Sequence, residues 1–181
     1  LLNYNELISC NAESISNKTF TEIANEVINT AKDAGIEPNT REILTQIALN
    51  YFETEQIDVA LLEAETTSKF DTTSISSPCI TAITRLNYQS TQKNETVKEE
   101  TLHNFIWPAQ QDSYLISADQ SKIHLKMMQE WAEKNQVNWV MPIRKVVPLN
   151  YPFEQLHGRC AALAERVAWF YMNHCSHKNS L

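Results

Sequence analysis

Apolar positions along this chain follow two alternating patterns. In "NKTFTEIANEVINTAKDAG", Ile23, Val27, Ile28 and Ala31 line one helical face, with Thr19 or Thr21 as the capping residue and Gly35 as the stop. "PNTREILTQIALNYFETE" begins a second helix near Asn39 or Thr40, with Ile43, Leu44, Ile47 and Tyr51 on one side. Then the period changes. "IDVALLEA" (57–64) is a continuous apolar run of strand length, and "PCITAIT" (78–84) is another. Continuous runs suit strands covered on both faces of a parallel sheet. "SYLISA" (113–118) predicts a third strand, and "NWVMPI", near 138, a fourth. "DQSKIHLKMMQEWAEKN" predicts a helix between them, with Ile123, Leu125, Met127, Met128 and Trp131 toward the core. A last helix is expected from 154 to about 174, carrying Leu156, Cys160, Leu163, Ala164, Val167, Phe170 and Tyr171.

Strands separated by helix-length segments imply crossover connections. The expected class is therefore α/β, with a mostly parallel sheet of at least four strands and helices on both faces. One domain over 1–181 is expected, with Glu63 at the C-terminal end of the first clear strand. Pro142, Pro148 and Pro152 mark an irregular or edge segment before the last helix. There is no internal repeat and no low-complexity segment.

Composition narrows the function classes. A chain of 181 residues, 43% apolar and 20% charged, can bury one well-packed core. A formal charge of −7 argues against a nucleic-acid or anionic-membrane partner, and no apolar run reaches the ~18 residues of a membrane span. The opening "LLNYNELISC" lacks Met, a basic region and an apolar leader, so the chain is read as a piece of something longer. Cys10, Cys79, Cys160 and Cys175 lie far apart without metal-site spacing. They are expected as reduced thiols in a cytoplasmic or organelle interior. "NHCSH", with His174, Cys175 and His177, is read as a polar, frayed C-terminus rather than a metal site. The sequons at Asn17 and Asn94 carry no weight without a secretion signal.

Glycine supplies the sharpest compositional signal. There are only two, Gly35 and Gly158. Ligands in open α/β sheets gather at the carboxyl ends of strands, and phosphate loops there need glycine for close approach of backbone N–H groups. "ETTSKFDTT", directly after Glu63 and Ala64, has the position of such a loop and none of its glycines.

At this point the chain resembles a family. "LLEAETTSKFDTTSISSPCITAITRLNY" is similar to the central domain of the Mur ligase superfamily, specifically folylpolyglutamate synthase/dihydrofolate synthase. There a strand ends in Glu, a glycine-rich segment follows, and an Asp-x-Thr-Asn precedes the next strand. "NYNELISCNAESISNKTF", "ETVKEE" and "QLHGRCAALAERVA" resemble further family segments in the same order, so the likeness covers about residues 3 to 170. It implies a P-loop-type core missing its first strand and P-loop, which would lie upstream. It also implies an ATP-dependent ligase chemistry, in which ATP phosphorylates a folate carboxylate and a glutamate amine attacks the acyl phosphate. That chemistry needs magnesium held by Glu and His, and a carbamylated Lys.

Several of the implied groups are missing. Glu63 matches the metal-binding Glu, and Asp71 and Thr73 match the Asp-x-Thr. Glu65 stands in the first glycine's place, followed by Thr66, Thr67 and Ser68, which puts a carboxylate where phosphate oxygens need donors. The family's Asp-His reads Asn87-Tyr88, and no lysine occurs between Lys98 and Lys122. Cys160, Ala161 and Ala164 replace the His, Gln and Asn of the last helix. The loop at 65–68 is therefore read as a vestigial phosphate loop and Glu63 as a vestigial metal ligand.

For Glu63 the ordinary reading is a strand-end carboxylate satisfied by loop amides or by a nearby Lys or Arg; the functional one is metal binding. His103 is read as an exposed helix histidine, with replacement of the lost metal His as the alternative. His157 is read as packing near the start of the last helix, and Lys69 and Arg85 lack the clustering of an anion site. In "NFIWPAQ", Phe105 is expected in the core and Trp107 is the candidate partner contact. Two functions follow. One is a catalytically inactive scaffold or assembly subunit, with no cofactor and an unidentified protein partner. The other is the central piece of an active amide ligase using ATP and magnesium.

Overall fold

The computed structural model describes residues 3–64, 71–86, 102–119, 121–141 and 158–175. The chain divides into two compact units, Leu1–Glu65 and Thr66–Leu181.

In the first unit a 3-10 turn, Tyr4–Leu7, leads into a two-stranded antiparallel hairpin, β1 (Ser9–Cys10) and β2 (Glu13–Ser14). Its two-residue turn holds Asn11 and Ala12 at φ 51° and 66°, as a hairpin turn matched to strand twist requires. Helix α1 (Asn17–Asp33) starts at Ser16, whose side chain accepts the Thr19 N–H; the cap stands upstream of Thr19 and Thr21. Gly35, at φ +68°, closes α1 as expected. Helix α2 (Thr40–Thr54) begins with a capping box, Asn39 accepting the Glu42 amide while Glu42 accepts the Asn39 amide. The short 34–39 connection turns the two helices on each other, and Ile23, Val27 and Ile47 close a core with Ile8 and Ile15.

In the second unit β3 (Ile80–Ile83), β4 (Tyr114–Ser117) and β5 (Asn138–Val140) form a parallel sheet in the order β3-β4-β5. Register pairs Ile83 with Ser117 and Leu115 with Trp139. Alternation then splits the apolar side chains between two faces. Ile83 and Leu115 pack with the helical residues 102–106 (α3) and with Met128 and Ala132 of helix α4 (Lys122–Lys134). Ile116 and Val140 pack with Leu163 of helix α5 (Gly158–Phe170). Helices thus cover both faces, as the continuous apolar runs predict.

Two expectations are corrected. The run 57–64 is not a strand: it pairs with no strand among the described residues, and Val59 and Leu61 are 45% and 84% exposed. Ile57, its first residue, closes α2 instead by donating to the Phe52 carbonyl. The parallel sheet accordingly has three described strands rather than four. On α4, Ile123 is exposed rather than in the core, because it stands one residue past the N-terminus on the face away from Met128.

Candidate functional site

The carboxyl end of the parallel sheet is organised by a residue the sequence reading passed over. β4 ends at Ser117, and Asp119 follows it, only 3% exposed. Its own amide donates to Ser117 Oγ at 3.0 Å, which turns the chain off the strand. The carboxylate then gathers donors from two directions. Oδ2 accepts the Leu86 amide at 2.9 Å, from the segment that continues β3, and Oδ1 accepts the Ser121 amide at 2.7 Å, from the start of α4. His124 Nδ1 lies 3.2 Å from Oδ2. Ser121 caps α4, its hydroxyl oxygen accepting the His124 amide.

The electrostatics follow from that geometry. Burial pushes the Asp119 carboxyl up, but the Leu86 and Ser121 amides and the His124 ring outweigh it and hold the group below the ordinary carboxylate range. The helix dipole of α4 favours the same anion. Chemically, Asp119 orients the His124 ring through Nδ1, and the ring is 24% exposed. Both amides on Asp119 belong to the backbone of the sheet edge and the helix start. Its first role is to join them.

The residues singled out in the sequence are scattered by comparison. Glu63 is exposed on the irregular run 58–64, not at the end of a paired strand, because that run has no ladder to end. Asp71 is buried and caps the 3-10 turn Thr72–Ile75, accepting the amide and the hydroxyl of Thr73 at 3.0 and 2.7 Å. The structure therefore joins Asp71 and Thr73, in an N-cap. Glu65, Thr66, Thr67, Ser68, Lys69, Asn87, Tyr88, Asn94, His157 and His177 lie outside the described residues. Arg85 and Ala164 are exposed, and Cys160 and Ala161 half-buried. His103 is exposed, with its ring edge-on to Trp131 at 6.0 Å. Phe105 packs on the core, and Trp107 is half-buried in the turn after α3. Among the described residues no three His, Cys, Asp or Glu side chains come together as a metal site.

The C-terminal expectation is also corrected for 171–175. α5 runs on into a π-helical turn, Tyr171–Cys175, in which Cys175 is buried. His174 lies 5.3 Å from the Phe170 ring and 5.5 Å from that of Tyr114, so β4 supplies an aromatic wall against which this end packs instead of fraying. The signal for Asp119 was present in "SADQSKIH": an Asp at a strand end, then Ser three residues before His on a helix.

No protein-family model matches the chain, and no curated protein matches its sequence. Solved structures do match in fold. Bifunctional folylpolyglutamate synthase/dihydrofolate synthase from Yersinia pestis superposes with a TM-score of 0.66 at 18% identity, over 77% of this chain and 34% of its own. Folylpolyglutamate synthase from Thermotoga maritima gives 0.59 at 20% identity, over 71% and 30%. A mutant of L. casei FPGS gives 0.66 at 13% identity, over 83% and 40%. The chain thus spans 30% to 40% of the length of these synthases, and no described helix is long and apolar enough to cross a membrane. The α/β fold of this chain, with three parallel strands among the described residues, is thus similar to part of the fold of folylpolyglutamate synthases.

Proposed function

We propose that this chain is a catalytically inactive folylpolyglutamate-synthase-like domain that serves as a scaffold or subunit in a protein assembly, in a cytoplasmic or organelle interior. The observation that carries the proposal is the replacement of the phosphate and metal chemistry at several separate positions. Glu65 to Ser68 stand for the glycine segment, Asn87-Tyr88 for Asp-His, and Cys160, Ala161 and Ala164 for the nucleotide-holding groups. Local structure supports the same reading. The one matching metal ligand, Glu63, is exposed on an irregular segment, and Asp71 is engaged as a cap. A magnesium site needs carboxylates fixed in convergent geometry, and among the described residues neither belongs to a group of three His, Cys, Asp or Glu side chains.

A second reading keeps the ligase: this is the central piece of an active ATP-dependent enzyme whose P-loop and C-terminal domain lie outside the chain. It draws on similarity to synthases solved with ADP, or with AMPPNP and manganese. Calorimetry with millimolar ATP and magnesium separates the two. The scaffold reading expects no specific heat of binding. A dissociation constant in the micromolar range, lost in Glu63→Ala, would overturn it.

A further inference from the structure

We propose that residues 58–63 are a strand-adding surface for a partner protein whose edge strand carries apolar side chains between basic ones. The inference rests on the scaffold reading and names the kind of partner. The segment reads Asp58-Val59-Ala60-Leu61-Leu62-Glu63. Four apolar residues of strand length stand between two exposed carboxylates, and the structure gives them neither helix nor ladder. Leu61 is the most exposed large apolar side chain among the described residues at 84%, with Val59 two positions away at 45%. Residues two apart share one face of a strand, so on pairing Val59 and Leu61 would present a single apolar row. Backbone hydrogen bonds from an added strand would supply affinity and that row the selectivity.

Charge selects the occupant. A second copy of this chain is a poor one. Antiparallel self-pairing that sets Val59 across from Leu62 also sets Asp58 across from Glu63, and in-register parallel pairing sets each acid across from itself. Like charges directly opposite destabilise a pair. A strand with lysine or arginine at both ends meets both carboxylates favourably. The surroundings act in the same direction: residues 1–65 hold twelve acidic side chains against three basic ones, a formal −9, whereas the whole chain is −7. Such a field steers basic partners in and keeps copies apart.

The test uses the 181-residue chain and two labelled peptides of alternating valine and threonine, one with lysine at each end and one with glutamate. Fluorescence anisotropy should show saturable binding of the lysine peptide, weakening with salt, and at least tenfold weaker binding of the glutamate peptide. Ala60→Pro removes an N–H from the pairing backbone without altering charge. It should abolish binding while leaving the thermal unfolding of the chain unchanged, and hydrogen exchange at 59–62 should slow only with the lysine peptide. The inference is overturned if neither peptide binds, if both bind alike, or if Ala60→Pro binds as well as the parent. Self-association that Ala60→Pro removes would also overturn it, in favour of a second copy. ATP–magnesium calorimetry tells its failure from that of the scaffold reading: nucleotide binding sinks the scaffold whatever the peptides do, and silent peptides with no nucleotide heat sink only this surface.

Discussion

Asp119 shows how one side chain can set the local architecture. Two backbone amides, from Leu86 and Ser121, depend on it for an acceptor at the carboxyl end of the sheet. In Asp119→Asn a single carboxamide oxygen cannot serve both, and its NH2 confronts the second donor. A buried donor left unsatisfied costs about 1–3 kcal/mol, so urea unfolding at neutral pH should show a loss of about 2 kcal/mol. The pH dependence has a definite sign. Because the folded carboxyl is held below its unfolded range, its contribution is complete above the unfolded carboxylate value of about 4 and is lost as pH falls through the lower, folded value. The gap between parent and Asp119→Asn should therefore narrow as pH falls below about 4. A gap that widens below that pH would show that the carboxylate is not the stabilising form.

Element by element, the sequence was legible where a period and a stop signal coincided. Ile23 and Val27 marked α1 and Gly35 ended it; Ile80–Ile83, Tyr114–Ser117 and Asn138–Val140 were legible as strands because helices cover both their faces. Helices α2 and α4 also end where their quoted stretches do, without a glycine to mark it. α2 and α4 stop as α1 does, with Ile57 donating to Phe52 and Val137 to Ala132 across a left-handed residue, but that residue is Gln56 or Gln136, not glycine. With two glycines in the chain, five described non-glycine residues adopt positive φ. Ile57, counted in the expected strand 57–64, is taken by the cap of α2, which leaves the apolar run after it without a ladder. Of the candidate site, the Asp71–Thr73 pairing was legible as a motif, but its capping role was not. For Asp119 the local partners Ser121 and His124 were legible in "SADQSKIH", but its link to Leu86, from a separate element, was not. A side chain in the left-handed region costs roughly 1 kcal/mol relative to glycine. Gln136→Gly should therefore raise stability by about 0.5–1 kcal/mol, read as a higher urea midpoint at unchanged slope. Val137 and Ala132, which the cap joins, both lie in the core, so the gain should persist at high salt. A lower midpoint would show that the Gln136 side chain contributes more than its backbone costs.

At the scale of the molecule, the scaffold reading requires a surface for a partner, and Trp107 is the candidate contact. Ile106 before it is fully buried and Ala109 after it nearly so, and the Ala109 amide closes the turn on the Ile106 carbonyl at 3.0 Å. Phe105 packs against the same core. Trp107 itself is only half-buried between these anchors, so its backbone is fixed while part of the side chain stays open. A tryptophan with apolar area left to cover on a fixed backbone is the kind of residue found at interface hot spots. We propose that a protein partner covers it together with the segment 85–95, of which only Arg85 and Leu86 belong to the described residues. Trp107→Ala should weaken association with the native partner by about 2 kcal/mol or more, measured with the chain in its native complex. Its unfolding midpoint should change little, since the Ile106 and Phe105 anchors remain. Phe105→Ala is the control, expected to lower the midpoint because it removes a ring from the core. Should Trp107→Ala unfold the chain, or leave the affinity as it was, the ring belongs to the fold and the partner binds elsewhere.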